Sequence, residues 1–561
     1  MRLTVRLLCS VAKKRPFYVT TPIFYVNAAP HIGHLYSAVV ADAIQRFEKL
    51  TNPESNVIFS TGTDEHGTKI QQAAAKANKS LSEYCTSMSN EYRNLFREFD
   101  VEYTDFIRTT EERHKRAVRH FWRQLVKRDC IYKAKYSGWY SVNDEAFVPE
   151  SHTRDEVTEE GPVKVSIESG HKLEWTEETN YMFRLSAFKT HLQEWLKTDG
   201  VIQPVKFQKQ LLDYLENESY FPDISVSRPS SRVHWAIRVP GDEEQSIYVW
   251  LDALINYLSV LGYPDAEAMS ARGRAWPADV HVVGKDILKF HGIYWPAFLM
   301  AIGWHPARRL AVHSHWTVDG LKMSKSRGNV LCPRMLAAAS AHSAVRYLLL
   351  REATMATDAN FSESKLINIA NSELADTLGN LASRCCGAAL NPRGEFPPLH
   401  AQELAACSQL HCAAELLQAV ERLPEICHKH YSNYQFYKAA DAIIHVLHLA
   451  NLFFETLKPW ELKKQIDKQK ELDVVLHITL ETLRITSIIL QPLIPDLSKK
   501  LLDKLQIPEN CRDWVHCEQP SWRIKGAIHE TKNIQSGKFV LFQRIYTDKK
   551  KENVQKKKAS A

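Results

Sequence analysis

Nowhere in the 561-residue chain is there a run of about 18 apolar residues, so no membrane-spanning helix is expected. The eleven cysteines include no C-x-x-C pair, and no secretory signal precedes them. That combination speaks against a disulfide framework and points to free thiols in a reducing compartment. Cys385 and Cys386 are adjacent and cannot readily bridge each other. Cys427-His428 with His430, and His516-Cys517, lack further partners at ligand spacing. They read as packing or surface residues, and no metal ligand set is expected. No G-x-x-x-x-G-K-[ST] loop is present, which excludes one common cradle for a nucleotide's phosphates. Acid is missing from the whole N-terminus, where the first carboxylate is Asp42.

The length calls for two to four packed units, and 44% apolar residues are ample for their cores. Of the net charge of +7, residues 1–15 carry +5 and residues 548–558 carry +4, so the body between them is −2. A globally basic nucleic-acid glove is therefore excluded, and any RNA contact in the body must be local. In the acid-free start, Arg2 and Arg6 share one helical face while Leu3, Leu7, Leu8 and Val11 lie towards the other. Such a segment is like a mitochondrial presequence, with a frayed terminus as the plainer alternative. The lysine-rich tail reads as solvated.

Phe17 to Thr21 reads as a buried strand, and Pro30 introduces a helix that begins at His31-Ile32-Gly33-His34. Histidines three apart share a face near the helix N-terminus. Free backbone N–H groups and the positive dipole end favour an anion there, and Gly33 leaves room for a ligand against the backbone. Two imidazole donors at this place suit a phosphate whose charge grows in a transition state. Far downstream, Gly320-Leu321-Lys322-Met323-Ser324-Lys325-Ser326-Arg327-Gly328 reads as a glycine-bracketed loop with two lysines and two hydroxyls. Such flexible donors can close over a triphosphate and stabilise leaving pyrophosphate. Each peptide taken singly also fits a structural helix end or a solvated basic turn.

Together the two peptides resemble the HIGH and KMSKS motifs of class I aminoacyl-tRNA synthetases. The resemblance implies a Rossmann-like parallel-sheet catalytic domain, split by a connecting insertion and followed by an all-α helix-bundle anticodon-binding domain. Within the class, Gly62-Thr63-Asp64-Glu65-His66-Gly67, at the end of the strand Val57 to Ser60, resembles the methionyl-tRNA synthetases. Asp64 at a strand's C-terminal end is suited to a substrate's α-ammonium group. By the same resemblance, Ile23, Tyr25, Trp250, Ala253, Tyr257, Ile287 and His291 form the methionine pocket. His31, Gly33, His34, Gly284, Asp286, Lys322, Ser324 and Lys325 serve ATP, with Asp286 on the ribose and His31, His34, Lys322 and Lys325 catalytic. A thioether accepts only a weak hydrogen bond, which Tyr25 and His291 are expected to supply. Asn380 and Arg384, four apart on one helix face, match residues that bind the CAU anticodon, and Trp460 matches a base-stacking tryptophan.

Helical spacing of Leu366, Ile369, Ala370, Leu374, Leu378 and Leu381, and the later runs Ala439–Leu457 and Val474–Leu490, predict a helix bundle. Expected boundaries are a targeting segment over 1–15, catalytic halves over 16–130 and 236–360, and an insertion over 131–235. Helices over 361–530 and a C-terminal segment over 531–561 follow. No cysteine lies between Cys130 and Cys332, and Ser141 and Asp144 stand where many relatives carry the first zinc pair, so no structural zinc is expected. The insertion is also too short for an editing domain. The chain looks most like the mitochondrial form, which implies a monomer in the mitochondrial matrix. Its partners are methionine, ATP with Mg2+, and tRNA(Met), with no membrane. A leucyl or isoleucyl enzyme, a non-catalytic RNA-binding protein and an unrelated adenylyltransferase are the rivals.

Overall fold

Seven short runs form one parallel sheet in the computed structural model of the chain. They are β1 (Phe17–Thr20), β2 (Phe24–Tyr25), β3 (Val57–Asp64), β4 (Asp105–Arg108), β5 (Ile202–Gln203), β6 (Val280–Gly284) and β7 (Leu310–His313). The order is β5-β7-β6-β1-β3, with β2 and β4 both pairing with β3. The structure describes residues 15–141, 146–148, 150–158, 161–167, 169–217, 221–323, 328–524, 532–535 and 537–546. Ser324 and Lys325, most of the expected targeting segment, Asp144 and the basic tail lie outside the described residues.

Both faces of the sheet are covered, as parallel sheets require. Alternate residues serve opposite cores: Val19, Phe59, Val282 and Ala311 face one, and Tyr18, Ile58, Val283 and Leu310 face the other. The first core runs through α1 (Ile32–Thr51) and on into the C-terminal helices without a break. Connections leave β1 towards β3 on one side, while β6 pairs with it on the other. That reversal opens a crevice at the C-terminal strand ends.

The insertion is an antiparallel pair, Ile131–Ser141 with Glu174–Phe183, flanked by Ala146–Val148 and Ile224–Ser225. Its expected span of 131–235 needs dividing, because β5 within it pairs in parallel with β7 of the main sheet. Two residues followed by Pro204 are too short a run to read as a strand. Three further helices are α2 (Glu112–Lys127), α3 (Val249–Leu254) and α4 (His342–Glu352), of which α3 lines the cleft described below.

The helical run Glu363–Cys386 is continuous but widens to π-type turns over Ala370–Gly379. It packs with α5 (Phe436–Leu457) and α6 (Gln469–Leu490). The stretch Phe436–Leu462 is long and apolar enough to cross a membrane by length and composition alone. Ala439, Ile443, Leu447 and Phe454 on it are buried in the shared core, the setting of a core helix. Side chains of α4 tie the units together: Arg351 pairs with Glu373 at 3.0 Å and Asp441 at 2.8 Å, and Arg346, paired with Asp42 on α1, donates to the carbonyls of Leu493 (3.0 Å) and Pro492 (3.1 Å) beyond α6.

Candidate active site

A cleft of about 2100 Å³ opens at the strand ends. Ile23, Tyr25, His31, Gly33, His34, Asp64, Trp250, Ala253, Tyr257, Gly284, Asp286, Ile287, His291 and Lys322 all line it. Every described residue expected to meet methionine or ATP is therefore brought to one place from across the sheet. Tyr25 pairs in register with Asp64, so the two side chains leave neighbouring strand ends. Asp64 is 8% exposed, a carboxylate nearly out of water and suited to an ammonium group.

The start of α1 closes on itself. His31 is the N-cap, and its Nδ1 accepts from the Gly33 N–H at 3.0 Å while His34 Nδ1 accepts from the His31 N–H at 3.1 Å. The amides of Ile32 and His34 donate to Leu331 O (3.2 Å) and His31 O (3.0 Å). These first-turn amides are engaged, so the expectation of free backbone donors for an anion is corrected. An Nδ1 that accepts carries no proton, so each ring's N–H sits on Nε2. The two rings stack with centroids 3.8 Å apart at the positive end of the helix dipole. Gly33 also leaves room for the His31 ring, since a Cβ there would lie 2.9 Å from His31 Cε1.

In the pocket wall, Trp250 stacks on Phe290 at 3.7 Å between centroids. His291 sits in a π-type turn, Phe290–Tyr294, which aims its ring inward. Its Nδ1 is 3.0 Å from Ile287 O, which can only accept, so the proton is on Nδ1. Nε2 then accepts from the Tyr257 hydroxyl at 2.7 Å. Burial pushes the His291 pKa down to about 4, which keeps the ring uncharged. No proton on His291 is left for a thioether, which corrects that part of the expectation. Its ring and Tyr257 act as an uncharged wall.

On the nucleotide side, Lys322 Nζ lies 2.5 Å from Asp286 Oδ2, with His315 Nε2 at 3.5 Å from the same oxygen. Residues expected at the pyrophosphate and ribose ends are thus in contact. Lys322 is on a strand rather than in a loop: Leu321–Lys322 pairs with Trp316–Val318 around Asp319 and Gly320, whose φ values are 51° and 73°. Positive φ at both central positions is what a tight hairpin turn requires. Behind it His313, its pKa pushed down to about 4 by burial, accepts from Ser37 Oγ of α1 at 2.7 Å.

Asn380, Arg384 and Trp460 lie away from the cleft. Asn380 is exposed on the helix that follows the wide turns. The Arg384 guanidinium is 4.8 Å from the Phe454 ring and 5.3 Å from the Trp460 ring, and pairs with Glu455 at 2.6 Å. Arginine and tryptophan, 76 positions apart, thus meet in one cation–π cluster at the helix surface. Sequence reasoning missed Phe290, Glu455 and a buried trio, His66, His114 and Asp252. All but His114 lie inside or beside a peptide already singled out, and only proximity across the fold distinguishes any of them.

Comparison with known proteins agrees with this arrangement. Residues 17–386 match the family model for class I tRNA synthetases (M), and residues 406–561 match the anticodon binding domain of methionyl tRNA ligase. The mitochondrial methionine–tRNA ligase of Mus musculus is 48% identical over 87% of this chain and 85% of its own length. That of Homo sapiens is 47% identical over 87% and 84%. Mycobacterium tuberculosis methionyl-tRNA synthetase bound by methionyl-adenylate has a TM-score of 0.85 at 35% identity, covering 94% of this chain and 100% of that one. Its free state gives 0.79 at 33% identity over 95% and 99%. The chain belongs to the class I methionyl-tRNA synthetase family.

Proposed function

We propose that this chain joins L-methionine to tRNA(Met) in two steps for mitochondrial protein synthesis. The observation that carries the reading is the single cleft in which Asp64, the Trp250–Tyr257 wall, His31 and His34 converge. In the first step the methionine carboxylate attacks the α-phosphate of ATP and pyrophosphate leaves, giving methionyl-adenylate. Asp64 holds the amino acid's ammonium group, Tyr25 supplies the weak hydrogen bond to its thioether, and the Nε2–H groups of His31 and His34 stabilise charge on the α-phosphate. Lys322 and Lys325 stabilise the leaving pyrophosphate, with Ser324 beside them, and Gly284 and Asp286 receive the nucleoside. Binding of ATP requires Lys322 to leave Asp286, which frees one residue for each end of the nucleotide. In the second step the terminal ribose hydroxyl of the tRNA attacks the acyl carbon and AMP leaves.

Magnesium enters with ATP, because imidazoles and lysines facing the phosphates complement oxygen rather than bind a cation. Asn380, Arg384 and Trp460 read the CAU anticodon, by base-edge hydrogen bonds and stacking. A location in the mitochondrial matrix is supported by the names of the Mus musculus and Homo sapiens relatives and by the acid-free residues 1–15. One chain contributes every residue invoked here, which supports action as a monomer.

ATP–pyrophosphate exchange with methionine, leucine, isoleucine or no amino acid tests the reading. Exchange with methionine alone supports it. Exchange with another amino acid overturns the pocket assignment, and silence with all four in a folded protein overturns the activity.

A further inference from the structure

Asp252 is 0% exposed, yet neither it nor its two partners line the cleft. Its Oδ2 lies 2.6 Å from His66 Nδ1 and its Oδ1 lies 2.7 Å from His114 Nε2. A carboxylate can only accept, so both imidazoles donate to it. His114 Nδ1 is in turn 2.9 Å from Ser259 Oγ. Burial alone would raise the Asp252 pKa, but the two facing imidazoles outweigh it and hold it at about 2. An ionised carboxylate is therefore kept inside the protein by two donors and nothing else charged.

The positions of these contacts are what give them meaning. His66 is two residues beyond Asp64, Asp252 is two beyond Trp250 and next to Ala253, and Ser259 is two beyond Tyr257. Every arm ends two residues from a group that faces the amino acid. His114, in the first turn of α2, is the rigid post to which the arms are fixed. The hydrogen bonds of the trio and Ser259 thus join the three backbone segments that carry Asp64, Trp250 with Ala253, and Tyr257.

We propose that Asp252 is a positioning residue for amino-acid selection, setting the spacing between the ammonium-binding Asp64 and the side-chain wall of Trp250, Ala253 and Tyr257. The proposal rests on the methionine-activating reading above. Methionine is selected by length as well as by its sulfur, and a pocket measures length only if its two ends cannot drift apart. Outer contacts that hold ligand-facing groups to a fraction of an ångström do this in other sites.

Asp252→Asn keeps the volume but offers one oxygen to two donors. His66→Asn keeps a donor where Nδ1 was, whereas His66→Phe keeps the ring and loses the donor. Pyrophosphate exchange on folded proteins, with methionine and with ethionine, which is one methylene longer, reads the effect. Asp252→Asn and His66→Phe are expected to raise KM for methionine about 10-fold while KM for ATP stays within about twofold. Preference for methionine over ethionine should fall about fivefold or more in both. His66→Asn should stay within about threefold of wild type on every measure. If Asp252→Asn does not fold, the two His66 variants carry the test alone. Unchanged methionine KM, equal rises for methionine and ATP, or equal damage from both His66 variants would overturn the proposal. A wild-type protein that shows no methionine-dependent exchange contradicts the activity itself, a separate result.

Discussion

His31 serves both the fold and the chemistry, and the two roles can be separated by substitution. Its Nδ1 caps α1 through the Gly33 amide, while in the mechanism proposed above its Nε2–H is the donor for phosphate. His31→Asn keeps an oxygen to cap the helix and loses the outward donor, so pyrophosphate exchange should fall about 10²–10³-fold with little change in stability. His31→Ala should lose the same activity and about 1 kcal/mol of stability as well. Equal melting temperatures for the two variants would contradict the capping role. The buried histidines give a pH dependence of known sign. His291 and His313 have folded pKa values near 4 against an ordinary 6.5. Between those values the unfolded chain binds protons that the folded chain refuses, so stability is full above 6.5 and is lost as pH falls towards 4. Each contributes up to about 3 kcal/mol across that window. Asp42 and Asp252, held at about 2, lose their contribution only below the ordinary carboxylate value of 3.8. A urea midpoint measured at pH 7 and at pH 5 should be lower at pH 5, and a flat profile would contradict the histidine burial.

Among elements, α4 has the least replaceable side chain. Arg346 is 2% exposed and ties Asp42 of α1 to carbonyls at the end of α6. Arg346→Met leaves the buried Asp42 with Arg46, at 2.7 Å, as its one remaining described cation beside two neutral donors, and should cost about 3–5 kcal/mol of unfolding free energy. A loss under 1 kcal/mol would show that the clamp is incidental. The surface formed by Arg384 and Trp460 makes a different prediction, because it lies outside the cleft. Trp460→Ala should weaken tRNA binding by about 1–3 kcal/mol, read as a 5- to 150-fold rise in KM for tRNA. Pyrophosphate exchange should not change, and a parallel loss of exchange would move the effect from RNA reading to folding. The helix bearing Asn380 and Arg384 also shows a limit of periodicity. Leu366, Ala370, Leu374 and Leu378 recur every four residues, which fits ordinary turns and equally the wide turns over Ala370–Gly379. Gly379 marks the difference, since a Cβ there would meet Leu374 O at 2.9 Å.

For the whole molecule, the first core is shared between the sheet and the C-terminal helices, so activation and RNA reading sit on one packed body. What was legible in the sequence was chemistry that is local in the chain: the HIGH peptide, the GTDEHG block, and the segments around Trp250 and Asp286. Each keeps its residues within one turn or strand end, so spacing alone places them together. What was not legible depends on closure over long distances. Asp252 meets His66 and His114 from 186 and 138 positions away, and Arg346 meets Asp42 from 304. No periodicity carries such pairings. Proton placement was hidden for the same reason, because the tautomer of His291 is decided by Ile287 O and Tyr257, not by its neighbours in sequence. In the function proposed above, one chain both activates methionine and reads an anticodon. Charging of labelled methionine onto two tRNA transcripts, identical except for a CAU or a changed anticodon, tests it directly. Rapid charging of the CAU transcript and a loss of about 10-fold or more on the other are expected. Equal charging of both, or charging of neither by a protein that performs methionine-dependent exchange, would contradict it.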